Sequence, residues 1–443
     1  MALKDLFEKV KGSNFTIGVV GLGRAGLPLA VTFAFKGIKT VGYDVNYDVV
    51  DTLNDGQAPF FEEKMDEYVR STVRNGKFQA TTNPRVLGKC DVIIIAVGTP
   101  ITKSLQPEFN QIYSALDRIL DNNIEDKLII HRSTSTPTTL EDIIKPYLEN
   151  KSGLKAGVDF GLAVCPERIA EGTAIIEIED LPEIVGGIDN LSSEITAEVF
   201  KKIDPNKVIS ILSPKAASLA KLFANVYRYV NFALANEFGL ISERYGEDAF
   251  KIIDATNKNY LRGKIAIPGL AGGPCLSKDG YYLVSNSSFP DFVMMAWRLN
   301  ESLPAEIVER VRKELEKKGK KLINSKIGVL GLVYKAAIDD VRESPSLRLI
   351  EILKSNGAEV YIHDPRVSKR HAREFGIELS DLDTALNDVD AIILATNHPE
   401  FKELEKRIEN NGGNKILFDC WGMYDGSFFR NIKYLGLGKG NSN

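Results

Sequence analysis

Short apolar runs closed by a glycine or an acid recur along this chain. FTIGVV at 15–20 ends on Gly21, TVGYD at 40–44 closes on Asp44, and CDVIIIAVGTP spans 90–100. Uninterrupted runs of this length predict strands buried on both faces, as in a parallel sheet covered by helices. The pattern then repeats. FTIGVVGLGRAG at 15–26 matches SKIGVLGLVYKA at 325–336, EVYIHD closes on Asp364 as TVGYD does on Asp44, and VDAIILATNHP at 389–399 matches 90–100. Two such units, alternating strands with helices, predict an α/β chain with two doubly wound parallel (Rossmann-like) sheets.

The stretch between the units has helical spacing. Ser213-Pro214 is a start signal, a capping hydroxyl followed by proline in the first turn. Leu219, Leu222, Phe223, Val226, Val230 and Leu234 then recur on one face, predicting a helix over 214–238. A second helix is predicted at about 304–318 from Ile307, Val308, Val311 and Leu315, ending in a solvated basic run, Lys317 to Lys321. Boundaries therefore fall near 212 and 318. They give a first Rossmann domain (1–212), a central helical domain (213–318) and a second Rossmann-like domain (319–443), in keeping with a length of 443 residues that exceeds one core.

Composition narrows the function classes. A net charge of −4 gives no case for a nucleic-acid partner, and an anionic ligand must be met by local basic groups. No apolar stretch approaches the roughly 20 residues that span a bilayer, and no signal-peptide run opens the chain, so a cytoplasmic protein without membrane contact is expected. Cys90, Cys165, Cys275 and Cys420 are scattered, as are the histidines. They read as thiols in a reducing compartment, and no metal site is expected.

Gly21-Leu22-Gly23-Arg24-Ala25-Gly26 stands between a strand and an Ala-rich helix, and Asp44 ends the next strand 18 residues past Gly26. The glycines let a pyrophosphate approach the helix N-terminus, and the acid accepts both ribose hydroxyls while repelling a 2′-phosphate. This predicts an NAD site. Thr99 and Thr134 follow apolar strands at the edge expected to face the nicotinamide. In the second unit Val333 and Ala336 stand where Gly23 and Gly26 stand in the first, so that unit is expected to bind something else.

Gly272-Gly273-Pro274-Cys275-Leu276-Ser277-Lys278-Asp279 adds a nucleophile. Backbone amides at a helix start lower a thiol pKa from about 8.5, and Lys278 and Lys221 would lower it further. Lys221 and Asn225, four apart on the predicted helix, offer donors for an alkoxide or oxyanion. Asp279 would share a helical face with Cys275 and handle water, and Glu167 is the other candidate for that role. Glu167 and Glu171 form a second pair four residues apart, and Arg168 and Arg262 suit substrate oxygens. Each of these residues alone also has a plain structural reading; together they describe oxidation of a primary alcohol to a carboxylate with the aldehyde held covalently.

With CPERIAEG at 165–172, KLFAN at 221–225, GGPCLSKD at 272–279 and GLVYKAAIDDVRESP at 331–345, essentially the whole chain resembles the nucleotide-sugar 6-dehydrogenases, the UDP-glucose/GDP-mannose dehydrogenase family. The resemblance implies Cys275 as nucleophile with Lys221, Asn225 and Asp279 beside it, and Glu167 and Thr134 handling water. Arg262 and Gly272 would lie at the substrate, Lys335 at the sugar nucleotide and Arg342 at the cofactor. The second unit would hold UDP, and the protein would be a homodimer or higher homo-oligomer. Arg168, in place of an aromatic residue, resembles the branch acting on UDP-N-acetylhexosamines, with UDP-N-acetyl-D-mannosamine expected and UDP-N-acetylglucosamine, UDP-N-acetylgalactosamine or UDP-glucose as alternatives. Two other readings stand beside it, a two-electron hydroxy-acid dehydrogenase and a nucleotide sensor without chemistry.

Overall fold

The computed structural model describes residues 2–102, 104–284 and 287–440. The chain forms two compact units, the described residues of Met1–Ala224 with Tyr281–Asn286, and those of Asn225–Gly280 with Ser287–Asn443.

The first unit holds an eight-stranded sheet: β1 (Thr16–Val20), β2 (Lys39–Tyr43), β3 (Phe78–Thr81), β4 (Val92–Ile95), β5 (Leu128–His131), β6 (Gly161–Val164), β7 (Glu183–Gly187) and β8 (Ile209–Ile211), in the order 3-2-1-4-5-6-7-8. All pairs are parallel except β6 with β7. The apolar runs behave as expected for a sheet covered on both sides. Val92 and Ile94 join one core, while Ile93 and Ile95 join the other across the sheet. The strand order reverses between β1 and β4, where such sheets open a ligand crevice.

In the second unit β9 (Lys326–Leu330), β10 (Glu359–His363), β11 (Ala391–Leu394), β12 (Ile416–Asp419) and β13 (Lys433–Gly436) form a parallel sheet in the order 10-9-11-12-13. Here too the two faces alternate, Ala391 and Ile393 to one core, Ile392 and Leu394 to the other. The repeat seen in the sequence is therefore a repeat of structure, and the α/β class with two parallel sheets is borne out.

The helices run further than their patterns predict. One helix spans Pro214–Arg244 and passes through Gly239, where a Cβ would sit 3.2 Å from Pro268 Cγ and 3.3 Å from Gly438 Cα. The glycine serves close packing rather than termination. The second spans Asp291–Lys317 with Pro304 inside it, not at its start. Trp297, Asn300 and Leu303 continue the buried face of Ile307, Val311 and Leu315 across the proline, and this packing outweighs one lost backbone hydrogen bond. Among the described residues, no helix is long and apolar enough to cross a membrane.

Candidate active site

In the first unit β1 delivers the chain into Gly21, whose φ of 93° only glycine adopts at no cost. A Cβ on Gly26 would lie 1.9 Å from the Gly21 carbonyl, whereas one on Gly23 would meet no atom within 4 Å. Gly26 thus closes the turn, and Gly23 leaves space above it, as a pyrophosphate requires. Asp44, at the end of β2, accepts the Leu22 amide at 2.7 Å through Oδ2 and the Asn46 amide at 2.9 Å through Oδ1, and it stays partly exposed. These residues fit the dinucleotide expected of them. A bound NAD would lie along this loop with its adenosine ribose at Asp44.

The neighbouring strand ends are tied together. Thr99 Oγ1 donates to the Thr134 carbonyl at 2.6 Å, and Ser133 Oγ to the Val97 carbonyl at 2.7 Å. Tyr282, also of this unit, donates its phenol to the Thr99 carbonyl and to that of Pro100 at 3.2 Å. Behind Thr134 lies a buried ion pair, Arg132 Nη1 to Glu183 Oε2 at 2.9 Å and Nη2 to Oε1 at 3.0 Å. The same guanidinium donates to the Cys165 carbonyl at 3.2 Å, and the Arg132 carbonyl accepts the Glu167 amide at 3.0 Å. Arg132 therefore fixes both segments that carry the water-handling candidates.

Glu167 and Glu171 do not form the expected pair. Residues 165–170 are irregular rather than helical, so a four-residue spacing places nothing on one face. The Glu167 carboxylate accepts the Ile169 amide, while Glu171 lies 3.9 Å from Arg24. Arg168 donates to the Pro182 carbonyl, and its Nε is buried with no hydrogen-bond partner among the described residues. The loop is pinned from outside the motif by buried Glu62, which accepts the amides of Gly172 at 2.9 Å and Ala174 at 2.6 Å. Lys221 is buried on the helix that begins at Pro214.

In the second unit Asn225 Nδ2 donates to Asp279 Oδ2 at 2.6 Å, and Lys278 Nζ lies 3.4 Å from Asp279 Oδ1. Asp279 is fully buried, whereas Cys275, one residue before the helix Leu276–Val284, is exposed. The Asp279 carboxylate packs against Asn225, and the Asp279 backbone amide donates to the Cys275 carbonyl at 3.1 Å, one helical turn back. No cysteine is in a disulfide, and the other three are buried. Burial pushes the Cys90 thiol up to about 11, and those of Cys165 and Cys420 well above the ordinary value. Only Cys275 keeps the solvent access that a nucleophile needs.

The Cys275 loop is nested on the second sheet's first loop. Gly273, at φ 101°, donates its amide to the Glu343 carbonyl at 2.9 Å, and a Cβ there would strike the Tyr334 ring at 2.7 Å. A Cβ on Gly272 would lie 2.5 Å from Pro345 Cδ. Upstream, Asn236 exchanges two hydrogen bonds with the Gly269 backbone, at 2.8 and 3.1 Å, and Asn257 two with Ile265, both at 2.8 Å. Trp297 Nε1 donates to the Ser277 carbonyl at 2.9 Å. None of these three supports carries a motif; the asparagines sit in helices, where the sequence signals only polarity. Arg262 stacks its guanidinium 4.8 Å from the Tyr260 ring on the exposed part of this loop. Lys335 is exposed, and Arg342 grips buried Asp340, with Nη2 2.7 Å from Oδ2.

A glycine loop open to a dinucleotide, an exposed thiol on a glycine-clamped loop and a second sheet lacking the fingerprint together define a dehydrogenase with two nucleotide-handling units. The chain matches the UDP-glucose/GDP-mannose dehydrogenase family over its NAD binding domain at 15–204, its central domain at 215–302 and its UDP binding domain at 328–426, and it belongs to that family. It is an NAD-dependent UDP-sugar dehydrogenase, as the sequence resemblance implied. Among its relatives, UDP-N-acetyl-D-mannosamine dehydrogenase of Pyrococcus horikoshii is 34% identical over 91% of this chain and 94% of its own. The solved UDP-D-ManNAc dehydrogenase structure from that organism superposes with a TM-score of 0.89 at 33% identity, covering 96% of this chain and 99% of the other. The UDP-N-acetyl-mannosamine dehydrogenase Cap5O of Staphylococcus aureus superposes with a TM-score of 0.83 at 30% identity, covering 96% and 98%.

Proposed function

We propose that this enzyme oxidises the C6 hydroxyl of UDP-N-acetyl-D-mannosamine to the carboxylate in two steps through a covalent adduct on Cys275. The observation that carries the covalent route is the contrast among the cysteines. Three are buried and hard to ionise, and the fourth is exposed on a loop held by Gly272 and Gly273. NAD bound at Gly21–Gly26 supplies the hydride acceptor for each oxidation. The Cys275 sulfur adds to the C6 aldehyde, giving a thiohemiacetal whose oxyanion Lys221 and Asn225 stabilise, and loss of the second hydride leaves a thioester. Water held by Asp279, Glu167 and Thr134 attacks that thioester, releases the acid and returns the thiol. Asp279, already bonded to Asn225, ties the oxyanion donor to the water-handling group. The sugar assignment is supported by the names of the relatives and by Arg168, and the domain roles follow 1–212 for NAD, 213–318 for the thiol and 319–443 for UDP.

We propose a second copy of the chain as partner. Tyr227, Leu234 and Ile241 recur at seven-residue spacing along one helix, Tyr245 follows in the turn just past its end, and the four are 68%, 46%, 42% and 80% exposed. An apolar stripe of this kind marks an interface. Sedimentation analysis of the wild type and of Tyr227→Glu with Leu234→Glu tests it; a wild type that stays monomeric at micromolar concentration removes the dimer.

The assay for the reaction compares UDP-N-acetylmannosamine, UDP-N-acetylglucosamine, UDP-N-acetylgalactosamine and UDP-glucose side by side, counting NADH. Two NADH per sugar are expected, with the mannosamine substrate preferred. In Cys275→Ser, acid formation should fall by at least about 10³-fold with NAD and UDP affinities retained. One NADH per sugar, or full turnover to the acid by the serine variant, removes the covalent route.

A further inference from the structure

His398 stands at the repeat position that Thr99 holds in the first unit, and it changes what the acid at the strand end can do. Asp364 Oδ2 accepts the amides of Leu332 at 2.7 Å and Val333 at 3.3 Å, together with His398 Nε2 at 3.2 Å. Its Oδ1 accepts the amides of Arg366 at 2.8 Å and Val367 at 3.2 Å. A carboxylate offers about four lone-pair sites, so none is left for a ligand. Both side chains are fully buried. The other imidazole nitrogen, Nδ1, accepts the Ala337 amide at 3.3 Å, which places the ring proton on Nε2, facing Asp364.

One buried pair therefore fastens the loop after β9 at two points, residues 332–333 through Asp364 and residue 337 through His398. Thr396 Oγ1 adds a bond to the Val333 carbonyl at 2.7 Å. Ala337 sits at φ 64°, a left-handed conformation that a residue with a Cβ does not hold unaided. Between the two anchors lie Tyr334, whose ring packs at Gly273, and the exposed Lys335.

We propose that His398 is a positioning residue for the diphosphate-bearing nucleotide of the substrate: by bridging Asp364 and Ala337 it holds the 332–337 loop in its UDP-binding shape. The proposal rests on the second unit being the one that takes UDP. Without the bridge the loop samples other conformations, and apparent affinity falls in proportion to the competent fraction.

Calorimetric titration of the full-length protein with UDP, and separately with NAD, tests this on the wild type, His398→Ala and His398→Phe. Phenylalanine fills the imidazole's space without either hydrogen bond. UDP Kd should rise by about tenfold or more in both variants, with NAD Kd within about twofold of wild type. A His398→Phe protein that binds UDP as the wild type does overturns the role of His398 alone. A wild type with no UDP affinity overturns the reading of the second unit, and the proposal with it. Should both variants fail to fold, amide exchange on the wild type decides: UDP must slow exchange across 332–337 while NAD leaves it unchanged, and the opposite pattern refutes the proposal.

Discussion

The two sheets begin alike and end differently. In each, a glycine at φ 93° or 98° follows the first strand, the next residue donates its amide to the acid closing the second strand at 2.7 Å, and that acid's other oxygen accepts an amide two residues on. Yet Asp44 stays partly exposed beneath an open Gly23, while Asp364 is sealed by His398 beside buried Val333. The first edge is built to receive a ligand on its backbone. The second spends the same acid on holding its own loop. Two nucleotide functions have thus been drawn from one scaffold by changing what stands at a few positions on the C-terminal edge.

The largest expected effect breaks the first edge alone. In Gly26→Ala the new Cβ has only 1.9 Å to the Gly21 carbonyl, so the turn must open and carry the loop with it. Displacement of that size predicts a loss of NADH formation of more than about 10²-fold. UDP affinity should be unchanged, because the second unit already carries Ala336 at the matching position. Calorimetry with both nucleotides checks this; equal losses of NAD and UDP binding would mean that the two edges do not act separately.

A smaller effect distinguishes the two units by acid. His131, at the end of β5, is fully buried, its Nδ1 has no hydrogen-bond partner among the described residues, and burial holds it down to about 4. Between pH 6.5 and 4 the unfolded chain takes up a proton that the folded chain does not, so stability falls as pH drops. The total loss is about 3 kcal/mol. Asp364 behaves otherwise. Burial pushes its carboxyl up, but the hydrogen bond from His398, with those from the Leu332 and Arg366 amides, outweighs it and holds the group below the ordinary range. Its contribution is intact above the ordinary carboxylate value near 4 and is lost only as pH falls through the depressed one. Amide exchange followed from pH 7 to 4 should therefore show the first unit loosening before the second, and His131→Gln should remove most of that slope. If the unit holding β5 is as well protected at pH 4.5 as at pH 6.5, the buried neutral histidine does not act this way.

What was legible in the sequence follows the physics of each signal. Strands buried on both faces leave continuous apolar runs, so both sheets, their repeat and the acids closing β2 and β10 were read directly. Gly21, Gly26, Gly272 and Gly273 were legible because backbone approach leaves no room for a Cβ. The supports were not. Arg132 and Glu183 are 51 residues apart, and nothing local marks one as the other's partner. His398 reads as a lone histidine before a proline, and its role exists only because the fold brings Asp364 and Ala337 to its two nitrogens. Spacing misled at Glu167 and Glu171, since an interval of four means a shared face only where the chain is helical.

The smallest expected effect probes what the sheets still share. Asp91 and Asp390 occupy matching positions before β4 and β11; each accepts the amide opening its sheet's first strand, Thr16 at 2.9 Å and Lys326 at 2.8 Å. Each also meets a lysine, Lys9 at 3.2 Å from Asp91 and Lys320 against Asp390. Both lysine side chains are 55% exposed, so solvent screens the pairs and the amide bonds do most of the stabilising. Lys9→Met and Lys320→Met should each cost less than about 1 kcal/mol, with nucleotide affinities unchanged. Denaturant titration measures the cost, and calorimetry the affinities. These acids lie at the N-terminal ends of the strands, away from the edge where ligands bind, so the two variants ought to match. If Lys320→Met weakened UDP binding while Lys9→Met left NAD binding intact, divergence would extend to both ends of the sheet, and the two units would share less than their common opening strands imply.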